Sequence, residues 1–215
     1  MRLADYSLAS LILLATFAIL AVRRIDGAIG SYAFQSFALA GISLLLFVQA
    51  GAWELLILAM ATLAIKGVTI PAVLRRQLGP TIYATRESRY YVGFPSALLL
   101  GSAATLMGFL AGVGMPRATG QLGQTVVGIA LAVILTGFLS ATMRREAPMQ
   151  LTGLLVAENG LVLLALALAP GLPLLVDFAF VLDVLIGAMV MGFLIARIHA
   201  NFATTDTSEL TRLRG

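Results

Sequence analysis

The sequence predicts an all-α, polytopic membrane protein of seven transmembrane helices, and three observations carry that reading. The first is composition. Of 215 residues, 60% are hydrophobic and 11% charged, with a mean hydropathy of +1.00, whereas soluble domains lie nearer half apolar and a quarter charged. The second is the length of the apolar runs. They continue for about twenty residues, as a helix crossing a bilayer requires, where barrel strands would alternate apolar and polar over about ten. The third is the placing of arginine, which alternates in step with those runs.

The first span is expected over about 6–22, opened by Asp5 and stopped by Arg23-Arg24. It lacks a small-x-small cleavage site and meets an arginine pair at once, so it reads as a retained anchor rather than a signal peptide. The second is expected over about 27–49 and the third over about 53–74, closed by Arg75-Arg76. The polar stretch RRQLGPTIYATRESRYY follows, and its Tyr83, Tyr90 and Tyr91 suit an interfacial belt. Spans four and five are expected over about 93–113 and 123–143. The sixth, over about 149–168, ends at the helix-breaking run Pro170-Gly171-Leu172-Pro173. A seventh over about 174–198 precedes a polar tail, 201–215. The chain thus divides into an N-terminal four-helix region, 1–121, and a three-helix region, 122–200.

Arginine tests the span count. Arg23, Arg24, Arg75, Arg76, Arg86, Arg89, Arg144, Arg145, Arg197, Arg212 and Arg214 fall on one side of a seven-span arrangement, and only Arg2 and Arg117 on the other. The positive side is cytoplasmic, which predicts an external N-terminus and a cytoplasmic C-terminus. The net charge of +4 is explained by this bias and does not point to nucleic acid.

Three ionisable residues stand inside spans. Glu158 is in the middle of MQLTGLLVAENGLVLLALAL, Asp183 is near the middle of DFAFVLDVLIGAMVMGFLI, and Lys66, the only lysine, lies just past the centre of WELLILAMATLAIKGVTIP. Insertion of the three costs on the order of 8–10 kcal/mol, which is normally offset by mutual pairing or by lining water. On an α-helix Lys66 would share a face with Thr62 at i−4 and Thr69 at i+3. Pro71 removes the hydrogen bond owed to the carbonyl of Gly67 and weakens the helix beside the lysine. Asn159 and Gly160 follow Glu158, so an amide joins the polar group and a small residue permits close helix approach. These residues are the candidate proton path (Glu158, Asp183, Lys66) with supporting polar groups Asn159, Thr62 and Thr69. A structural reading, carboxylates and lysine merely tying helices together, stands beside it. Glu54, Asp177 and Gln49 lie near span ends and read as interfacial.

Several classes are excluded. There is no cysteine, and His199, the one histidine, lies beyond the last span. No disulfide, cysteine-ligated cluster or histidine-held intramembrane haem is possible. No phosphate-binding loop, dinucleotide fingerprint, metal-ligand cluster or nucleophile elbow occurs. No cofactor and no catalytic centre of the chain's own are expected.

With those residues in view, the chain resembles the hydrogenase-4 component E family of membrane-bound [NiFe]-hydrogenase and formate hydrogenlyase complexes. GLLVAENGLVLLALAL from Gly153 is similar to the second helix of the complex I K subunit, and DVLIGAMVMGFLI from Asp183 is similar to its third. The C subunit of cation/proton antiporters shares this pattern. Glu158 and Asp183 match the two acidic positions, the second being aspartate where glutamate is usual. SYAFQSFALAG from Ser31 and TLAIKGVTIPAVLRR from Thr62 resemble component E alone. The resemblance implies a K-subunit-like unit in the last three helices and a non-redox membrane subunit of an oxidoreductase complex. Its partners would be antiporter-like membrane subunits, peripheral iron–sulfur or hydrogenase-like subunits and membrane lipids. Its buried charges would serve a mid-membrane proton or sodium path. A free-standing secondary transporter is the competing reading, although no internal repeat or matching pair of broken helices is visible. A purely structural assembly subunit is the other.

Overall fold

The structure, a computed structural model, describes residues 2–78, 91, 93–114 and 122–168. The seventh expected span, with Asp183, and the polar tail lie outside the described residues. Among the described residues there is no strand. In hydrocarbon every backbone N–H and C=O must be satisfied within its own segment, and only helices do this for single spans.

Among the described residues, six stretches are long and apolar enough to cross a membrane. Helix α1 covers Arg2–Ala21 and α2 Ile25–Ala50. The third span is composite: α3, Trp53–Ala61, a π-helical segment, Thr62–Thr69, and α4, Ile70–Leu78. Helices α5, Phe94–Gly114, α6, Gly123–Met143, and α7, Ala147–Leu168, follow. Most ends fall within a few residues of those expected, and α2 shows why ends are sharp. Gly51 turns left-handed at φ 67° and returns its N–H to the Phe47 carbonyl at 2.7 Å, which a residue without Cβ does at little cost.

The π segment departs from the expected uninterrupted helix, and Pro71 accounts for it. Proline has no N–H to give, and its ring crowds the carbonyl four residues back. Widening the preceding turn relieves that crowding. The Ile70 N–H reaches the Ile65 carbonyl, five residues back, and the Thr69 hydroxyl donates to the Ala64 carbonyl at 2.8 Å, again five back.

Helix α2 stands centrally, packed on α1, on the composite span and on α7. Helices α6 and α7 form the closest pair. A Cβ on Gly137 would stand 2.6 Å from the Ala157 nitrogen, and one on Gly153 would stand 2.5 Å from the Ala141 nitrogen. Glycine and alanine therefore set the spacing of the two backbones, as small residues do between membrane helices. Helix α5 is outermost, with Leu99 72% and Val113 78% exposed.

Contacts at the helix ends sort the loops into two faces. The buried Arg144, between α6 and α7, donates from one guanidinium nitrogen to the carbonyls of Ile19, Leu20 and Val22 at 2.9, 3.1 and 2.8 Å. It thereby satisfies carbonyls that the end of α1 leaves without intrahelical donors. On the same face Arg23 stacks on Phe94, Arg145 stacks on Tyr91, and the Tyr91 N–H bonds the Met143 carbonyl. On the opposite face Gln49 donates to Asp5 at 3.5 Å, and Tyr6 lies against Gly123. The arginine-rich ends are thus together in space as well as in the count.

Candidate functional site: a buried ion pair on an amide chain

Lys66 is fully buried and its Nζ lies 2.6 Å from Glu158 Oε1. The lysine comes from the middle of the π segment and the glutamate from the middle of α7, so both elements present a charge at mid-span. Glycine and alanine bring α7 close to α6 and leave its other side, with Glu158 and Asn159, toward α2 and the composite span.

The pair opens a longer polar chain. Lys66 also donates to Asn159 Oδ1 at 3.4 Å. Asn159 Nδ2 donates to Gln35 Oε1 at 3.0 Å and to Ser36 Oγ at 3.2 Å. Gln35 Nε2 donates to Thr16 Oγ1 at 2.8 Å and to the Ile12 carbonyl at 3.3 Å. Thr16 in turn donates to that same carbonyl at 2.9 Å. Donors therefore run in one sense, from the ammonium on the third span through α7 and α2 to α1. Gln35, Ser36, Thr16 and Asn159 are all buried. Tyr32, one turn before Ser36, is fully buried and within electrostatic reach of Glu158.

Magnitudes say what this arrangement can do. At 2.6 Å and an effective dielectric of about 20, opposite charges attract by about 6 kcal/mol. Inserting the two charges costs about 5–7 kcal/mol. Attraction and insertion cost nearly cancel, so the pair adds little net stability, as buried pairs generally do. An apolar pair of similar volume would serve packing as well. The chain beyond it is made of amides and hydroxyls. A side-chain amide fixes direction and charge but does not readily pass a proton, so Glu158 and Lys66 are the ionisable members of this chain, and the amides hold the lysine in place. Glu158 Oε2 accepts no hydrogen bond from the described residues.

Lys66, Glu158 and Asn159 are brought together, and Thr62 is buried on the lysine's segment. Thr69 is not part of the site: it is exposed and bonded to Ala64. The expected shared face assumed α-helical spacing. At about 4.4 residues per turn, the wider geometry of a π-helix, four steps back nearly restore the direction of Lys66 while three steps forward do not. Asp183 lies outside the described residues. Gln35, Ser36 and Thr16 are site residues that charge-based reading passes over. Their signal was present as polar side chains inside apolar runs, but uncharged ones carry less insertion cost. Among the described residues no group of three His, Cys, Asp or Glu side chains could hold a metal ion.

The six membrane-length helices among the described residues, around an internal polar chain, define the class: a multi-pass helical membrane protein with a buried charge site. The chain belongs to the family of the uncharacterized protein Rv0085 of Mycobacterium tuberculosis, with which it is 32% identical over 214 residues, 99% of this chain and 96% of that protein. No family model matches the chain, and no solved structure matches it.

Proposed function

We propose that this protein is a membrane subunit of a complex-I-like or membrane-bound hydrogenase complex, contributing buried charges to a proton or sodium path along the middle of the membrane. The supporting observation is the buried Lys66–Glu158 pair held by the amide chain. Its attraction only offsets its burial, so a role other than stability accounts for keeping two charges there. Glu158 and Lys66 exchange protons or shift each other's charge state as neighbouring subunits change theirs, since Coulomb coupling is strong at low dielectric. Asp183, on a seventh helix over about 174–198, is the second acidic position of the path. The resemblance to component E and K-type subunits supports the complex and its partners: antiporter-like membrane chains and peripheral iron–sulfur or hydrogenase-like proteins. The arginine-rich face is cytoplasmic in a bacterial or archaeal membrane, the N-terminus outside and the C-terminus inside.

Affinity purification from native membranes tests this reading. The chain is expected to bring antiporter-like and iron–sulfur subunits with it. Isolation alone, with a substrate that changes its stability, would instead favour a free-standing transporter.

A further inference from the structure

Between α2 and the composite span lies an open-sided groove of 480 Å³. Its walls are apolar, with Phe34 and Phe37 on one side and Pro71 on the other, and its floor is built from small residues, Gly30 and Gly67 among them. The Phe37 ring lies 3.3 Å from where a Cβ on Gly67 would stand. One end carries Arg75, whose guanidinium lies 3.8 Å from the position of a Cβ on Gly30. The described residues place no carboxylate in salt-bridge distance of it.

We infer that this groove binds an anionic phospholipid, with one acyl chain between Phe34, Phe37 and Pro71 and the phosphate on Arg75. The dimensions fit. From Gly67 to Arg75 the helix rises about 12 Å, close to the roughly 15 Å thickness of one leaflet's hydrocarbon. The apolar walls therefore run from midplane to headgroup level, and the cation stands where the phosphate belongs. Guanidinium binds phosphate through paired hydrogen bonds, and basic positions between membrane helices are recurrent sites for acidic headgroups. A partner helix fits less well. It is about 10 Å across, so a 12 Å length fills roughly twice this volume. A second groove, of 370 Å³ between α5 and α6, is lined by residues such as Leu100, Met107 and Phe138 and has no charged residue. It supplies the internal contrast: lipid without headgroup choice.

The bound chain would rest on the outer face of the segment whose inner face carries Lys66.

The test is native mass spectrometry of the purified, delipidated full-length protein, titrated with phosphatidylglycerol or with phosphatidylcholine of the same acyl chains. Both lipids carry the phosphate, but the choline of phosphatidylcholine brings a second cation close to Arg75, so phosphatidylglycerol is expected to bind about tenfold more tightly. Arg75→Gln should erase that preference. Ala33→Leu, which fills the groove and leaves the cation, should weaken phosphatidylglycerol about tenfold, while Ala103→Leu in the second groove should leave it unchanged. Equal binding of the two lipids by the wild type overturns the inference, as does a preference that survives Arg75→Gln. Displacement of the lipid by inorganic phosphate would make this a free-anion site and overturn it too. If Arg75→Gln fails to fold, the Ala33→Leu and Ala103→Leu pair decides.

Discussion

Lys66 and Glu158, 92 positions apart in the chain, meet at 2.6 Å with neither side chain more than 5% exposed. Removing one partner leaves the other without its counter-charge in an apolar interior. The stranded group can shed its charge by proton exchange, which limits the loss to about 1–3 kcal/mol, the penalty for an unsatisfied buried polar group. Lys66→Met and Glu158→Gln are each expected to lower the melting temperature in detergent, and the double variant to recover most of it. Additive losses in the double variant would show that the two side chains do not act as a pair.

Asn159 is expected to position the lysine. Asn159→Leu removes one acceptor from Lys66 and one donor from both Gln35 and Ser36. The expected loss is about 2–4 kcal/mol for the partners left unsatisfied. Thermal melting of Asn159→Leu beside Thr69→Val checks it. Thr69 bonds only within its own segment and faces outward, so its replacement should change little.

Arg144 fastens the loop between α6 and α7 to the end of α1. Arg144→Gln cannot reach the three carbonyls and should cost about 2–4 kcal/mol. Limited proteolysis should then cut first near residues 22–24, where α1 loses its cap.

Gly153 permits the approach of α7 to α6, and even a methyl group there would meet the Ala141 backbone at 2.5 Å. Backbone cannot yield as a flexible side chain does, so Gly153→Ala should destabilise by about 1–3 kcal/mol, the range for overpacking. A melting temperature equal to wild type would mean that the helices are looser than their spacing implies.

Much of the fold was legible because a bilayer imposes a length. Runs of about twenty apolar residues bounded by arginine located the six described spans within a few residues. The composite third span was half legible. Pro71 announced a weakened helix, but the response, a widened turn rather than a kink, depends on neighbours, and it moved Thr69 off the lysine's face. The site was legible as charges and not as contacts. Lys66 and Glu158 stand out alone in apolar runs, whereas their meeting depends on how α7 packs against α2 and the third span. Arg144 could be counted for topology, yet nothing local in Arg-Arg-Glu says that one arginine folds inward to α1.

Topology is open to labelling. Cysteines at Gly93 and Ala52, which flank α5 and α3 on opposite faces, should react from the cytoplasmic side and from outside respectively. Reaction of both from the same side would break the alternation.

The central claim, that the pair serves ion movement, is tested most directly by field generation in membrane vesicles containing the assembled complex with the Lys66→Met/Glu158→Gln double variant. Stability is largely restored in that variant, and electron transfer should remain measurable, but neither position can ionise. The expected result is electron transfer with proton or sodium uptake and membrane potential strongly reduced. Full ion movement in that variant would contradict the account and leave the two charges as packing residues.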